Sequence, residues 1–163
     1  MIRPAVVADA AAITEVHLGG WLAAYRGIMP DDLLDNLDFE ARRARWHDNL
    51  ANGSRSLVDE HDGVVRGFSG YGPCRDPDKA GAGEVYALYV GQQWWGQEVG
   101  EALLDAAVEG LRREGYAEFV LWVLRDNARA RRFYEKQGWV FDGTEQVSQW
   151  GPVESRYVYR ATA

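Results

Sequence analysis

The sequence predicts one α/β (α+β) domain, residues 1–163, with a mixed sheet at its centre. Three observations support this prediction. Strand patterns and helix patterns are interleaved along the chain, and no linker, low-complexity tract or repeat divides it. Asp62-Gly63, between two extended runs, is a strong two-residue hairpin signal. Later in the chain, two apolar strand patterns are each followed by a helix pattern, and this order is typical of a mixed sheet.

The first third of the chain is predicted to run from a short strand into helices. Ile2–Val6 is an apolar run, and Asp9 stands where a helix N-cap belongs, ahead of an Ala-rich segment that Gly27 and Pro30 end. The elements predicted next are a short helix from Asp31, a helix over Phe39–Leu50 and two strands within Arg55–Tyr71.

The rest of the chain contains two strand–helix units and a final pair of strands. Glu84–Val90 and Phe119–Leu124 have the apolar composition of buried strands. The helix after the first of them carries its apolar residues on one face, at Leu103, Leu104, Ala107, Val108 and Leu111. The helix after the second is capped by Asp126 or Asn127, and two extended runs then turn at Gly151-Pro152.

The charge and hydropathy of the chain argue against some classes of partner. The formal net charge of −7 disfavours nonspecific nucleic-acid binding, which needs a cationic surface. It is compatible with a cationic acceptor such as a polyamine, although solubility alone also accounts for it. No apolar run approaches the roughly 18–20 residues that span a bilayer, and no secretory signal is visible. We therefore expect a cytoplasmic protein with no nucleic-acid or membrane partner.

The cysteine and histidine content argues against a metal centre. Cys74 is the only cysteine, which excludes an internal disulfide and a thiolate metal cluster, and we expect it to be a packing residue. The three histidines lack the spacing of metal ligands: His17, His47 and His61. No metal cofactor is therefore expected.

The segment Gly91–Gly100 joins the first buried strand to its helix and has glycines near the helix start. Unpaired N–H groups and the helix dipole at such a place can bind an anion, typically a phosphate. Neither a P-loop nor a dinucleotide fingerprint matches, because the Gly-Lys-Ser/Thr and the required glycine spacing are absent. Taken alone, the segment fits a structural turn equally well.

A second segment, Asp126–Trp139, indicates a ligand more specifically. Asn127 and Tyr134 lie seven residues apart, about two helical turns, and therefore share one helix face. Ala130 lies between them and leaves room for a ligand or for a neighbouring backbone. The same pattern also fits a helix in which Asn127 is only a cap and Tyr134 only a core aromatic.

Together these segments resemble the GNAT (Gcn5-related N-acetyltransferase) superfamily, in its small bacterial type. The matching residues are Leu88-Tyr89-Val90, the Gly96–Gly100 loop, Ala102-Leu103-Leu104 and Asn127…Ala130…Phe133-Tyr134-Glu135…Gly138-Trp139. The resemblance covers nearly the whole chain in the expected order. It implies the GNAT fold, a central mixed, mostly antiparallel sheet with helices on both faces. It also implies that two parallel strands, Glu84–Val90 and Phe119–Leu124, splay apart.

The resemblance implies an enzyme that transfers acetyl from acetyl-CoA to a primary amine of a small molecule or peptide by direct attack. Pantetheine would lie in the gap against the backbone of Leu88–Val90, where an N–H can polarise the thioester carbonyl. Tyr134 would protonate the departing thiolate. Glu84 aligns with a position that some members use as general base, although an exposed or structural carboxylate fits it equally well, and His17 is its rival. The other residues implied to bind the cofactor are Leu88, Tyr89, Val90, Trp95, Gly96, Gln97, Glu98, Val99, Gly100, Glu101, Asn127 and Ala130.

The resemblance also indicates where the acceptor binds. The first helices, the strand that carries Glu84 and the late hairpin, Val140–Arg160, usually shape this side. The expected wall residues are Trp21, Tyr25, Tyr71 and Tyr86, with Trp46 as a further candidate and Asp31 and Asp32 as groups that could attract a cation. The late hairpin could also supply the contact of a homodimer.

Two positions depart from the family's loop pattern. Trp95 stands where a polar or basic residue is usual, and Glu98 stands where a glycine lets the backbone approach phosphate. A carboxylate about 5 Å from the pyrophosphate would repel it by roughly 3 kcal/mol at an effective dielectric near 20, or about a hundredfold in affinity. Two alternatives therefore stay open: a GNAT-fold binding or regulatory protein with impaired cofactor binding, and a protein that binds another thioester or anion.

Overall fold

The computed structural model describes residues 1–160. Its strands are β1 (Ile2–Pro4), β2 (Ser56–His61), β3 (Val64–Pro73), β4 (Gly83–Val90), β5 (Glu118–Leu124), β6 (Val140–Val147) and β7 (Val153–Arg160). Its α-helices are α1 (Ala10–Tyr25), α2 (Asp31–Asp35), α3 (Phe39–Ala51), α4 (Val99–Arg113) and α5 (Ala128–Lys136). The strands form one seven-stranded sheet in the order β1-β2-β3-β4-β5-β7-β6. Only β4 and β5 pair in parallel, so the predicted mixed, mostly antiparallel sheet is confirmed.

Helices cover both faces of the sheet, as predicted, because neighbouring strand residues point to opposite sides. On β3, Phe68 packs with Ile13 of α1, whereas Ser69 donates a hydrogen bond to the Leu103 carbonyl of α4, at 3.2 Å. The one-sided apolar face predicted for α4 is buried against β4 and β5, where Leu111 contacts Val85 and the strand residues beside it. No helix within residues 1–160 is both long enough and apolar enough to cross a membrane.

The predicted hairpin forms at Asp62-Gly63, between β2 and β3. Both residues have positive φ, 51° and 78°. A two-residue turn of this kind matches the twist of the flanking strands, and glycine adopts the conformation without steric cost.

The start of the chain differs from the prediction. β1 ends at Pro4, and a short 3₁₀ turn, Val7–Asp9, precedes α1. Asp9 is not a side-chain cap of α1, since its carboxylate accepts from the Val6 N–H at 2.8 Å and from both guanidinium nitrogens of Arg3, at 2.8 and 2.9 Å. These hydrogen bonds, Arg3's above all, hold the pKa of Asp9 below its ordinary value.

The two parallel strands splay, as the resemblance implies, and a β-bulge accompanies the divergence. β4 pairs with β5 only at Gly83 and Glu84. On its other edge, Val85 pairs with Tyr71 and Ala87 with Gly70, so Tyr86 has no partner on β3. A bulge of this kind bends its strand and increases the local twist. It lies directly after the last residue that pairs with β5, so β4 turns away from β5 at that point.

Candidate active site

A cleft of about 730 Å³ lies where β4 and β5 diverge. Its walls come from the two strands, α1, α3, α5 and the turn between β6 and β7. Eleven of the residues predicted for the site line it: Trp21, Tyr25, Glu84, Tyr86, Leu88, Tyr89, Val90, Trp95, Asn127, Ala130 and Tyr134. The edge of β4 that faces β5 has no strand partner beyond Glu84 within residues 1–160. Its backbone groups can therefore hydrogen-bond to a bound ligand.

Several residues expected on the acceptor side lie elsewhere. Tyr71 faces α4, and its ring fills the space where Gly110 has no Cβ, so it is not a wall of the cleft. Trp46 packs against Phe68 in the core between α1, α3 and the sheet. Asp31 and Asp32 are exposed on α2 and do not line the cleft.

A hydrogen-bonded group of aromatic side chains forms the wall at the α1 side of the cleft. The Tyr89 hydroxyl accepts from Trp21 Nε1 at 3.0 Å and lies 3.1 Å from the Tyr25 hydroxyl. The Tyr89 ring fits against α1 because residue 20 is glycine: a Cβ there would lie 2.9 Å from Cδ1 of the ring. Burial raises the pKa of both tyrosines, so their hydroxyls remain neutral donors and acceptors.

Tyr134 lies on α5 with its buried ring against the cleft. Burial raises the pKa of its phenol, and the nearby Tyr89 hydroxyl adds to the effect. The phenol is therefore fully protonated at neutral pH, which is the state that a proton donor needs. Asn127 caps the same helix, since its side-chain oxygen accepts from the Ala130 N–H at 3.2 Å. Asn127 also lines the cleft.

Glu84 lines the cleft at the point where the strands part, and only 1% of it is exposed. Its carboxylate accepts from Arg75 Nη2 at 2.8 Å and from the Arg75 backbone N–H at 3.0 Å. His17, the rival base, is half-buried, and it accepts a hydrogen bond from Trp46 Nε1 at 3.3 Å. Burial, with a smaller contribution from the charge of Arg42, lowers the pKa of His17 to about 4. His17 is therefore neutral and only weakly basic at pH 7.

The side chain of Trp95, which departs from the family's loop pattern, is hydrogen-bonded and packs against an arginine. Its Nε1 donates to the Val90 carbonyl at 2.9 Å, and the Arg129 guanidinium carbon lies 3.5 Å from the ring centroid. Arg129 lines the same cleft and forms no ion pair within residues 1–160. Arg129 therefore places a positive charge beside Trp95 in the cleft. The sequence analysis did not predict this, because no local pattern links position 129 to position 95.

The start of α4 fits an anion. Glu98 has φ of 67°, makes no capping hydrogen bond, is exposed and does not line the cleft. No acceptor within residues 1–160 is bonded to the N–H groups of the first helical residues, Val99, Gly100 and Glu101. These unpaired donors at the positive end of the helix dipole suit a phosphate. Gly96 and Gln97 complete the exposed turn before them.

Among the cleft residues that were not predicted are Arg42, Trp150 and Glu154. Arg42 of α3 lies over Trp21, with 5.1 Å from its guanidinium carbon to the ring centroid, and over Trp150, with 5.4 Å. Glu154 of β7 accepts from Gln146 Nε2 at 2.6 Å. A charged residue on a helix and an aromatic residue in a turn are common in proteins of every function, so the sequence alone did not indicate Arg42 or Trp150.

Glu84 and two side chains beside it, Cys74 and Asp76, carry potential metal-ligand atoms within 4.8 Å of one another. Each of the three either is already hydrogen-bonded to another group or is in a protonation state that disfavours metal binding. Glu84 is bound by Arg75, while Asp76 accepts from Trp122 Nε1 at 3.0 Å and from Arg156 Nη1 at 3.3 Å. Burial raises the pKa of the Cys74 thiol to about 11, which keeps it protonated and a poor ligand. These contacts favour a structural role.

Known proteins with similar sequences establish the family. The profile of the Acetyltransferase (GNAT) family matches residues 21–139. The chain belongs to the GNAT acetyltransferases. This acetyltransferase is 32% identical over 126 residues to the uncharacterised N-acetyltransferase YuaI of Bacillus subtilis, a match that spans 77% of this chain and 72% of that protein.

Two further comparisons cover almost the whole length of this acetyltransferase. It is 30% identical over 157 residues to the L-methionine sulfoximine/L-methionine sulfone acetyltransferase of Salmonella typhimurium, which covers 96% of this chain and 88% of that protein. The crystal structure of PaiA N-acetyltransferase from Thermoplasma acidophilum in complex with coenzyme A has the same fold. Its TM-score is 0.78 at 20% identity, over 99% of this chain and 98% of that one. The predicted fold and the predicted acetyl-CoA-dependent N-acetyl transfer are confirmed.

Replacing Glu98 separates backbone strain from charge. We expect Glu98→Gly to raise the free energy of unfolding by about 0.5–1 kcal/mol, because relief of the left-handed conformation exceeds the added chain entropy of glycine. Glu98→Gln keeps the strain and removes the charge, so its stability should match the natural protein. Since the carboxylate is exposed, acetyl-CoA affinity of Glu98→Gln should rise less than about threefold. Urea unfolding and calorimetric titration measure the two effects. A hundredfold gain in affinity would mean instead that the carboxylate opposes the pyrophosphate.

Proposed function

We propose that this acetyltransferase acetylates the primary amine of a small molecule, or of a peptide, by direct attack of that amine on acetyl-CoA within the cleft. The observation that carries the proposal is the position of Tyr134, a buried and protonated phenol beside the unpaired edge of β4. The printed activity of the Salmonella relative, on L-methionine sulfoximine and L-methionine sulfone, supports a small acceptor.

Acetyl-CoA supplies an acyl carbon activated by its thioester, and the chain's own residues do the rest. The residues proposed to hold the thioester and pantetheine are those of the free β4 edge, Leu88, Tyr89 and Val90, where a backbone N–H can stabilise the developing oxyanion. The unpaired N–H groups that begin α4, with Arg129 on Trp95, are proposed to hold the pyrophosphate.

The chemical step needs two proton transfers. The amine nitrogen forms a bond to the acyl carbon, and the bond from that carbon to sulfur breaks. Tyr134 is proposed to give its proton to the departing sulfur, while Glu84, acting through water, is proposed to receive a proton from the amine. Donation by Tyr134 requires a neutral phenol, and its raised pKa is consistent with that.

A Glu84→Gln variant tests the proposed base. The amide cannot accept a proton, so we expect kcat/KM to fall about 10²-fold at neutral pH, with the affinity for acetyl-CoA unchanged. Glu114→Gln is a matched control, because that carboxylate pairs with Arg55 outside the cleft. If Glu84→Gln keeps full activity, Glu84 is only the structural partner of Arg75.

Three other expectations belong to this proposal. We propose a cytoplasmic enzyme that works without a metal, because direct transfer of an acetyl group needs none.

We also propose a homodimer formed through the late hairpin, whose β6 residues Val140 and Val147 are exposed to 62% and 73%. Light scattering of the natural chain and of Val147→Asp would detect the dimer and its loss.

The proposed function is tested with the purified chain, acetyl-CoA and a broad panel of primary amines. Free thiol released from CoA and the mass of the acetylated product are measured together. Turnover that requires both substrates supports the proposal. If acetyl-CoA binds but no amine in the panel is acetylated, the alternative of a binding or regulatory protein takes its place.

A further inference from the structure

Arg42, like Arg129, is a cation of the cleft that forms no ion pair within residues 1–160. Its guanidinium packs against the indole rings of Trp21 and Trp150, at 5.1 and 5.4 Å from their centroids, and the two rings contact each other edge to face. No acceptor or carboxylate within residues 1–160 forms a hydrogen bond or an ion pair with it. Partial burial lowers the pKa of Arg42, and the neighbouring Arg45 lowers it further. The cation is thus partly removed from water without a protein anion to replace the lost hydration.

Two of the other charged groups in the cleft are satisfied within the protein. Arg75 pairs with Glu84 at 2.8 Å, and Asp76 pairs with Arg156 at 3.3 Å. Arg42 therefore sets a positive charge at the end of the cleft formed by α1, α3 and the β6–β7 turn. A planar guanidinium packed against aromatic rings presents its N–H groups in a fork that matches the two oxygens of a carboxylate.

A carboxylate without a cationic partner faces the same cleft from β7. Glu154 accepts only from Gln146, at 2.6 Å, and forms no ion pair within residues 1–160. Its negative charge acts on the hydroxyls of Tyr25 and Tyr89, and Tyr25 in turn is close enough to Tyr134 to be affected by it. Glu154 therefore places a negative charge in the same cleft as Tyr25 and Tyr89, and it would attract a protonated amine before transfer.

From these two groups we infer that the acceptor is an amino acid or a similar small zwitterion, and that Arg42 is the residue that selects its carboxylate. The inference rests on the proposed function and names the substrate class for it. It also opposes the polyamine acceptor with which the net charge of the chain is compatible. A polyamine would place a second cation against Arg42, and like charges in a partly buried site repel strongly.

The experiment compares acceptors that differ only in the carboxylate. L-methionine sulfone, L-phenylalanine and L-glutamine are each assayed beside their carboxamides, with spermidine as a polycation, and thiol release is followed to obtain kcat/KM. We expect at least one free acid to exceed its own carboxamide by tenfold or more, and spermidine to be a poor acceptor. A carboxamide or spermidine that equals or exceeds every free acid would overturn the inference but would leave the proposed function intact. Absence of turnover with every compound would overturn both.

Variants of Arg42 decide whether that residue is responsible. Arg42→Met should lower kcat/KM for the best free acid on the order of tenfold to a hundredfold, mainly through KM, since a charge-assisted pair is lost. The carboxamide should change little, and Arg42→Lys should restore part of the preference. Arg113→Met is the matched control, because Arg113 is an exposed arginine of α4 outside the cleft. Equal losses for acid and carboxamide in Arg42→Met, with native circular dichroism, would show a purely structural role and overturn the assignment.

Discussion

Tyr134→Phe is expected to lower kcat about 10³-fold while the KM for acetyl-CoA changes less than about threefold. The phenol is the proposed proton donor to the departing sulfur, and general acid catalysis typically contributes 10²–10⁴-fold. Because burial raises the pKa of Tyr134, the natural enzyme should lose no activity through this group up to pH 9. Steady-state kinetics with acetyl-CoA and the best acceptor, over pH 6–9, measure both effects.

Tyr159→Phe is the matched control for that experiment. Tyr159 stacks on Trp139 at 5.6 Å between ring centroids, and its hydroxyl has no hydrogen-bond partner within residues 1–160. Its kinetics should be unchanged. If Tyr134→Phe retains most of its kcat, or if its only effect is a raised KM, Tyr134 is a wall of the cofactor site and another group donates the proton.

Arg156→Met is expected to lower the free energy of unfolding by about 3–5 kcal/mol, the usual cost of removing one partner from a buried ion pair. Only 4% of Arg156 is exposed. Its Nε donates to Asp142 at 2.7 Å, and its two Nη atoms donate to Asp78 at 2.8 Å each. The same guanidinium also bonds to Asp76 beside the cleft. The variant leaves the half-buried Asp76 and Asp142 charged and uncompensated. Urea unfolding at neutral pH measures the loss.

The pH dependence identifies the cause of that loss. Burial would raise the pKa of Asp142, but the Thr144 backbone N–H and Arg156 outweigh it and hold the pKa below its ordinary value. A depressed pKa adds stability above the unfolded value, near 4, and that stability is lost as the pH falls through the folded value. The natural protein and Arg156→Met should therefore differ less at pH 3 than at pH 6. Arg160→Met, whose partner Glu118 is near the surface, should cost less than about 1 kcal/mol. A difference that does not change with pH would indicate lost packing instead of lost charge.

The parts of the fold that depend on local chemistry could be predicted from the sequence. The Asp62-Gly63 hairpin needs two residues with positive φ, and the buried face of α4 follows from helical periodicity alone. The position of Tyr71 could not be predicted in this way. Alternation along a strand places residues on two faces but does not say which face is which. On the neighbouring strand β4, the bulge at Tyr86 also reverses the alternation.

The candidate site likewise contains some residues that local sequence could place and others that it could not. Tyr134, Asn127 and Ala130 lie on one helix, so their spacing predicted a shared face, and all three line the cleft. Arg42 and Trp150, by contrast, come from distant parts of the chain and meet only because the β6–β7 turn folds back toward α1 and α3. Arg129 on Trp95 is a contact of the same kind. Such pairs are products of tertiary structure and have no signature in local sequence.

Because β4 and β5 pair over so few residues, a bound cosubstrate would help to hold the two parts of the sheet together. Within residues 1–160, only two backbone pairs join the strands β1–β4 to the strands β5–β7, and the cleft begins where they end. A molecule bound along the open edge of β4 occupies the place of the missing strand and joins the two parts of the sheet. Its binding energy then also acts as folding energy, about 2.7 kcal/mol when its concentration is a hundred times its dissociation constant. The cohesion of the two halves thus rises and falls with the supply of acetyl-CoA.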